Sequence, residues 1–425
     1  MLKAIHRRTA LAGLGALAWS VARGGQVGAD SLPPGLAADF DPLSAVWVSA
    51  GGGHDALTAG LVRALAGHVD IVVLVPEPDA AEPIRTLAPA ASVVVEPDVT
   101  FFLRDVAVLT RETDGGPGIV DFGASQYGAA TWCQRRHPAG AERDHCVGHA
   151  QRSAAERDDL DRAIARRLGA PVHQTPLAME GGGVEVNGRG LMLANAALWR
   201  TRQPGWSIDR IEQELRRLPG ISRVVWLPSG LAEDVLLRGT IAGSHVAWGS
   251  GGHTDQFVRF ADERTVLLAW PDDADVAAHP VARLTRRAMQ RNLAVLAAAT
   301  DQRGRRLRVV KVPMPRIVQR RVVLDDNADR ELSEEWSTDF FPPREGRRHG
   351  QALWQVATAS YLNFVVANGV VVLPDYRAHG TPPQHQERVR DIFEDAFPGR
   401  RIEFVDAISA NWVGGGLHCA TLSQP

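Results

Sequence analysis

GVVVLP (Gly369–Pro374) is a short run of β-branched and apolar residues that ends in proline. Runs of this length and composition, closed by a breaker, are typical of strands. The sequence therefore predicts an architecture built from many short strands. Seven more such runs lie at Ala45–Ser49, Asp70–Pro76, Ser92–Pro97, Gly118–Phe122, Arg223–Pro228, Thr265–Pro271 and Leu307–Pro313.

Amphipathic segments between these runs are predicted to be helices, because their apolar residues recur every three or four positions. The first of these helices, Ser153–Leu168, is expected to begin at a capping box formed by Ser153 and Glu156. The pair Asn187-Gly188 predicts a tight hairpin turn within Gly183–Leu193. The predicted helices are Ser153–Leu168, Ile208–Leu218, Val281–Leu296 and Glu387–Phe397.

The order strand or hairpin, helix, strand and proline recurs along the chain. The recurring segments share no detectable sequence identity, so the repeat is one of spacing and breakers only. A doubly wound sheet would also alternate strands with helices. The pattern predicts an α/β protein with about five units, near residues 44–99, 100–176, 177–228, 253–316 and 360–410.

The first 29 residues have the composition of an export signal, with a basic start, an apolar run and small residues at the end. The pair Arg7-Arg8 indicates the twin-arginine route, and a short buried helix is the alternative. The sequence thus predicts a signal peptide at 1–29, a linker at 30–36 and one domain at 37–425. The protein is expected to be periplasmic or secreted.

The charge of the chain favours a cationic ligand. The 47 basic and 49 acidic residues give a formal charge of −2, and loss of residues 1–29 would leave 43 basic residues and a charge of −6. A mildly acidic chain argues against nucleic acid binding and is compatible with a positively charged substrate. No later stretch approaches the roughly 18 apolar residues of a membrane span, so no membrane partner is expected after signal removal.

The chain contains three cysteines. In an oxidising compartment Cys133 and Cys146 would tend to form a disulfide. Free thiols are one alternative, and a metal site is another, although its spacing matches no standard zinc pattern. Cys419, six residues from the end, is then the odd thiol and needs a functional reason. The further metal ligands would be His137, His145 and His149.

Residues with reactive side chains stand beside glycines in several separate segments. A thiol, a histidine and carboxylates provide a nucleophile, a proton carrier and a cradle for a cation. Carboxylates do not suit the negative charge of acyl transfer, but they satisfy a guanidinium, which is planar and always charged. His253 and Asp255 are expected to share one side of a strand. The set is Asp105, Glu180, His253, Asp255, Asn363 and Cys419.

These segments resemble those of agmatine deiminases and Porphyromonas-type peptidyl-arginine deiminases. The resemblance runs from about Ala37 to the last residue, and its Gly-Gly-Gly-x-His-Cys motif is the most specific part. It implies a pentein fold, a five-bladed α/β propeller of pseudo-symmetric ββαβ units with the active site on the central axis. The matching segments are Ala38–Ala50, Met179–Gly183, Gly251–Phe257, Ser360–Pro374 and Gly414–Cys419.

The resemblance also implies roles for single residues. Cys419 would be the nucleophile and His253 the general acid and base. Asp105 and Asp255 would hold the guanidinium nitrogens, and Glu180 would orient His253. The implied reaction passes through a thiouronium on the cysteine and releases ammonia and a ureido product, without a metal or cofactor.

Two more residues complete the implied substrate site. Asn363 would support it, and Gly416 would let the backbone approach the flat substrate. The implied substrate is agmatine or a related small guanidine, which would place the enzyme in putrescine biosynthesis.

Three departures from the family pattern fall where the rest of a substrate would be recognised. They are RDVAVLT (Arg104–Thr110), Gly251 in place of a polar or acidic residue, and a long connection over 226–253. Deimination of arginine in exported or extracellular peptides is therefore an alternative, with Arg135 or Arg136 as a cation for the peptide carboxylate. Amidino transfer to an amine and a non-catalytic guanidine-binding propeller are further alternatives. The oligomeric state is left open.

Overall fold

The computed structural model describes residues 32–97, 99–157, 160–326 and 335–425. It contains all eight predicted strands, each within two residues of the expected bounds. The strands are β1 Gly35–Leu36, β2 Ala45–Ser49, β3 Asp70–Val75, β4 Ser92–Val95, β5 Val108–Arg111, β6 Pro117–Gly123, β7 Val172–Ala178, β8 Glu185–Val186, β9 Leu191–Asn195, β10 Arg223–Leu227, β11 Leu236–Ala242, β12 His245–Ser250, β13 Val258–Phe260, β14 Thr265–Trp270, β15 Arg308–Pro313, β16 Gln319–Val323, β17 Ala352–Val356, β18 Val365–Ala367, β19 Val370–Pro374, β20 Arg401–Val405 and β21 Thr421–Gln424.

All four predicted helical segments are helical in the described residues, but the start predicted for Ser153–Leu168 is wrong. Ser153 lies inside a helix that begins at Ala141, because the preceding residues contain no proline and only one glycine to stop it. Leu160–Leu168 is helical as predicted. The helices are α1 Asp55–Leu65, α2 Ala81–Leu87, α3 Ala129–Arg136, α4 Ala141–Arg157, α5 Leu160–Leu168, α6 Ala196–Arg202, α7 Ile208–Leu215, α8 Asp273–Ala278, α9 Pro280–Ala298, α10 Pro383–Ala396 and α11 Ile408–Asn411.

Among the described residues, five of the six sheets share one arrangement. A central strand pairs antiparallel with one neighbour and parallel with the other, and helices lie in the connection between the parallel strands. Parallel strands need a long crossover, whereas antiparallel strands need only a turn, and this produces the recurring order seen in the sequence. The five sheets are β21–β2–β3–β4, β1–β5–β6–β7, β10–β9–β8, β13–β14–β15 and β18–β19–β20.

The central strand of each of these sheets is almost entirely buried. In β9 and β19, for example, every residue is buried. A strand covered on both faces has no reason to alternate apolar with polar residues, so its sequence is a continuous apolar run. This explains why GVVVLP and the similar runs predicted the strands well.

The long connection over 226–253 forms a hairpin, β11–β12, that belongs to the sixth sheet. β12 pairs in parallel with β17, which pairs antiparallel with β16. The sequence did not predict these strands. β16 (QRRVV) begins with three polar residues, and residues in β11 are mostly half-buried, so neither strand forms a continuous apolar run.

The predicted signal peptide at 1–29 lies outside the described residues. The predicted linker at 30–36 is too long, because Gly35 and Leu36 form β1 and pair with Arg111 and Thr110 of β5. Within the described part of the chain, no helix has the length and apolarity needed to cross a bilayer.

Cys133 and Cys146 form a disulfide that joins α3 to α4. Of the alternatives left open by the sequence, the structure therefore selects the covalent bridge. No group of three or more histidine, cysteine, aspartate or glutamate side chains in the described residues is arranged to hold a metal ion.

Candidate active site

Cys419 lies in a buried turn between the glycine run and β21. Because β21 pairs with β2 and the amide of Arg104 donates to the Cys419 carbonyl (3.1 Å), the end of the chain meets the segment that carries Asp105. The Asn363 amide donates to Sγ at 3.1 Å, and the thiol donates to Asp255 Oδ2 at 3.4 Å. Three of the predicted site residues therefore meet at one sulfur atom.

Gly182 lies where two carboxylates and an imidazole converge. Its amide donates to Asp105 Oδ1 at 3.0 Å. A Cβ on Gly182 would lie 2.4 Å from His253 Nδ1, 3.0 Å from Asp255 Oδ2 and 3.1 Å from Asp105 Oδ1. The absence of a side chain at Gly182 therefore keeps clear the point that these three groups surround.

His253 immediately precedes a 3₁₀ turn at Thr254–Gln256, so the expectation that it lies in a strand is wrong. It still shares a cluster with Asp255, because the turn brings both side chains next to Gly182. His253 Nε2 lies 3.3 Å from Glu180 Oε2, and Nδ1 lies 3.7 Å from Asp105 Oδ1.

Glu180 is held by donors on both carboxylate oxygens. Arg202 Nε donates to Oε2 at 2.8 Å, while Ser125 Oγ and the amide of Tyr127 donate to Oε1 at 2.5 and 3.1 Å. Burial alone would raise the pKa of Glu180, but the charges of Arg202 and His253 hold it below its usual range. Glu180 is thus a fixed anion beside the imidazole.

The electrostatics of the site suit a positively charged ligand. Burial lowers the pKa of His253, but Asp105 and Glu180 outweigh burial and raise it to about 9. Burial raises the pKa of Asp105 to about 6 despite the opposing charge of His253. Burial, Asp255 and Asp105 raise the pKa of the Cys419 thiol well above its ordinary value. Near neutral pH the site therefore holds an imidazolium and a thiol, with carboxylates around them.

Asp234, in the long connection, fixes the backbone that leads into His253. Its Oδ1 accepts from the amides of Ser250 and Gly251 at 2.5 and 3.2 Å, and its Oδ2 accepts from those of Gly252 and His253, both at 3.0 Å. Gly251 has a φ of +91°, a backbone conformation that residues with a side chain rarely adopt. The sequence carried no signal for this role of Asp234, because it lies 19 residues from His253.

Tyr127 is a site residue that the sequence analysis missed. Its hydroxyl donates to Asp105 Oδ2 at 3.0 Å, and its ring centroid lies 5.9 Å from that of His253. Gln126 and Tyr127 have φ values of +50° and +55°, which are uncommon outside glycine and concentrate at functional sites. Together with Gly182, Tyr127 fixes the orientation of the Asp105 carboxylate.

Replacing Tyr127 by phenylalanine is expected to lower kcat/KM about 10-fold or more, because a hydrogen bond to a buried charged group is lost while the ring remains. Steady-state kinetics with the best guanidine substrate measure this. The control is Tyr361→Phe, which removes another buried phenol–side-chain hydrogen bond, to Gln386 in α10 (3.2 Å). Equal kcat/KM values for Tyr127→Phe and Tyr361→Phe would contradict the assignment of Tyr127 to the site.

The remaining predicted residues have different surroundings from those expected. A Cβ on Gly416 would lie 2.4 Å from Asn363 Oδ1, so Gly416 allows close packing against Asn363. Arg136 lies 3.6 Å from Asp339, and its guanidinium stacks on Trp132. Arg135 is exposed on α3.

The comparison with known proteins identifies a family. A model of the Porphyromonas-type peptidyl-arginine deiminase family matches residues 44–425. A putative agmatine deiminase of Streptomyces coelicolor is 30% identical over 377 residues, which covers 88% of this chain and 90% of that protein.

Solved structures share the fold. The agmatine deiminase of Enterococcus faecalis has a TM-score of 0.68 at 20% identity, with 94% of this chain and 98% of that chain covered. A C. jejuni agmatine deiminase with substrate bound has a TM-score of 0.62 at 15% identity, with 94% and 98% covered. The resemblance predicted from the motifs is thereby confirmed, and the chain belongs to the Porphyromonas-type peptidyl-arginine deiminase family.

Proposed function

We propose that the protein hydrolyses a guanidinium substrate, agmatine or a related small guanidine, to a ureido product and ammonia. Membership of the family makes it a deiminase, a hydrolase that acts on carbon–nitrogen bonds. The observation that carries the proposal is Asp255, which is 1% exposed, lies 3.4 Å from the Cys419 sulfur and has no hydrogen-bond partner at Oδ1 among the described residues. Leaving such an acceptor unpaired costs about 1–3 kcal/mol, and a guanidinium N–H would satisfy it.

In the proposed reaction, the Cys419 thiolate bonds to the guanidinium carbon. His253 gives its proton to the nitrogen that leaves as ammonia, and a thiouronium remains on the sulfur. Water then attacks the same carbon as His253 takes a proton from it. The carbon–sulfur bond breaks, which restores the thiolate and releases the ureido product, and the hydroxyl proton passes to solvent.

We further propose that the five similar sheets form the blades of a five-bladed propeller around the site. In each sheet a proposed site residue precedes the strand that pairs antiparallel with the central strand: Cys419 precedes β21, Asp105 β5, Glu180 β8, Asp255 β13 and Asn363 β18. Equivalent positions in a closed repeat would all face one axis, which supports this arrangement. The export signal predicted at residues 1–29 supports a proposal that the protein is periplasmic or secreted.

A small substrate is favoured over a peptide because the reactive groups are deeply buried. His253, Asp255 and Cys419 are each no more than 2% exposed. Of the two cations proposed for a peptide carboxylate, Arg136 already lies beside Asp339 and Arg135 is exposed on α3. With agmatine as substrate the enzyme would act in putrescine biosynthesis.

The test is a substrate panel of agmatine, free arginine and a peptide ending in arginine, with ammonia and ureido product measured. We expect the highest kcat/KM for agmatine. A preference for the peptide would replace the small-guanidine proposal, and diversion of product by added amines would indicate amidino transfer. Agmatine binding without any product would indicate a non-catalytic propeller.

The pH dependence of kcat/KM follows from Cys419 and His253. Together these two groups must lose one proton, because the Cys419 thiol becomes a thiolate while His253 stays protonated. The pKa of His253 is about 9 and that of Cys419 is also raised, so the fully protonated pair dominates at neutral pH. We expect kcat/KM to rise about tenfold per unit from about pH 7 to about pH 9. Below its pKa of about 6, protonated Asp105 no longer holds the cation, and the fall steepens. A flat profile between neutrality and the pKa of His253 would contradict this account.

A further inference from the structure

A buried histidine links the site to a charged cluster behind it. His418 is 2% exposed. Its Nδ1 lies 2.8 Å from Asp255 Oδ2, and its Nε2 lies 2.8 Å from Asp39 Oδ2. The backbone amide of His418 donates to Asn363 Oδ1 at 2.9 Å. His418 therefore touches both of the side chains that contact the Cys419 sulfur most closely.

Asp39 is held as an anion by two arginines. Arg259 Nη2 donates to Oδ2 at 2.8 Å, and Arg104 Nη2 donates to Oδ1 at 3.2 Å. Burial opposes ionisation, but these charges and His418 hold the pKa of Asp39 well below its usual range. An ionised carboxylate can only accept hydrogen bonds. The His418 Nε2 atom beside Asp39 therefore carries a proton and donates it.

The second contact of His418 also requires a proton. An imidazole nitrogen and a carboxylate oxygen 2.8 Å apart would repel each other without one. That proton lies between Nδ1 and Asp255 Oδ2, and the anionic Asp39 favours its residence on the ring. The same contact leaves the other oxygen, Oδ1, as the unpaired one.

We propose that His418, backed by Asp39, is a positioning residue for Asp255. It donates to Oδ2, keeps the carboxylate ionised and turns Oδ1 toward a guanidinium N–H. The role of Oδ1 rests on the function proposed above. In support, burial alone would raise the pKa of Asp255, but the hydrogen bond from His418 helps to lower it below its ordinary value.

The ionisation of Asp255 also depends on the other groups that face it. His253 and Arg259 favour the anion, whereas Asp105, Glu185 and Asp234 oppose it. Burial lowers the pKa of His418, as do Arg104 and Arg259, whereas Asp39 and the hydrogen bond to Asp255 oppose this shift. These groups are unchanged in variants at position 418, so a shift in the pH profile of such a variant reports the lost donor.

Two variants separate the two contacts of the ring. In His418→Asn the side-chain amide nitrogen occupies the place of Nδ1 and still donates to Asp255. In His418→Gln it occupies the place of Nε2 and donates only to Asp39. For His418→Gln we expect KM for the best guanidine to rise about 10- to 100-fold, the effect of a lost hydrogen bond to a charge, and kcat/KM to fall more steeply below neutral pH. His418→Asn is expected to stay within about threefold of the native KM.

Thermal unfolding of both variants separates positioning from a purely structural role. Equal KM values for the two folded variants, with an unchanged pH profile, would overturn the proposal. Should either variant fail to fold, Asp39→Asn provides the second test, because loss of the anion behind His418 should raise KM in the same direction. An unchanged KM in that variant would also overturn it. An unsubstituted protein without turnover on any guanidine would instead contradict the proposed function.

Discussion

Replacing Cys419 by alanine is expected to reduce turnover by about 10⁴-fold or more, because no other group in the site can form the covalent intermediate. Agmatine binding is expected to persist, since Asp105 and Asp255 keep their carboxylates. Product formation under single-turnover conditions measures the first effect, and calorimetric titration with agmatine measures the second.

The matched control removes the other two cysteines. Cys133→Ala with Cys146→Ala breaks the disulfide and is expected to lower the free energy of unfolding by about 2–4 kcal/mol. Turnover of the folded protein should be kept, because the bridge joins α3 to α4 and does not contact the sulfur of Cys419. Turnover that survives in Cys419→Ala would end the assignment of this residue as nucleophile.

Replacing Gly182 by alanine is expected to lower kcat/KM at least about 100-fold, because displacement of reacting groups by about 1 Å has effects of that size. The new methyl would lie 2.4 Å from His253 Nδ1, inside the closest approach that two such atoms tolerate. The imidazole or the carboxylates of Asp105 and Asp255 must therefore move. Steady-state kinetics, with unfolding followed in parallel, measure the effect.

Gly239→Ala is the control for this substitution. Gly239 lies in β11, and a Cβ there meets no atom within 4 Å. Both variants add one methyl group to the backbone, but only Gly182→Ala adds it between the side chains that are proposed to be catalytic. Native-like kinetics in Gly182→Ala would show that the guanidinium binds elsewhere.

The residue types of the site could be predicted from the sequence, but parts of its geometry could not. The segments around Glu180, His253 and Cys419 carry motifs that matched the family, and the structure brings them together. The i, i+2 argument for His253 and Asp255 used the wrong local structure, since the segment is a 3₁₀ turn. A motif specifies which side chains are present. Their directions depend on the local turn, which Asp234 stabilises by accepting a hydrogen bond from the backbone amide of His253.

By itself the sequence determined eight of the short strands and, apart from one start, the four helices predicted between them. Burial on both faces leaves a continuous apolar run that can be recognised locally, as in GVVVLP. Only the tertiary structure decided that Tyr127 contacts Asp105 and that His418 lies between Asp39 and Asp255. Asp39 and His418 are 379 residues apart, and nothing in the local sequence of either one favours the other. Such contacts arise when separate sheets bring distant turns to one place, and propensity and periodicity, which are local properties, carry no information about them.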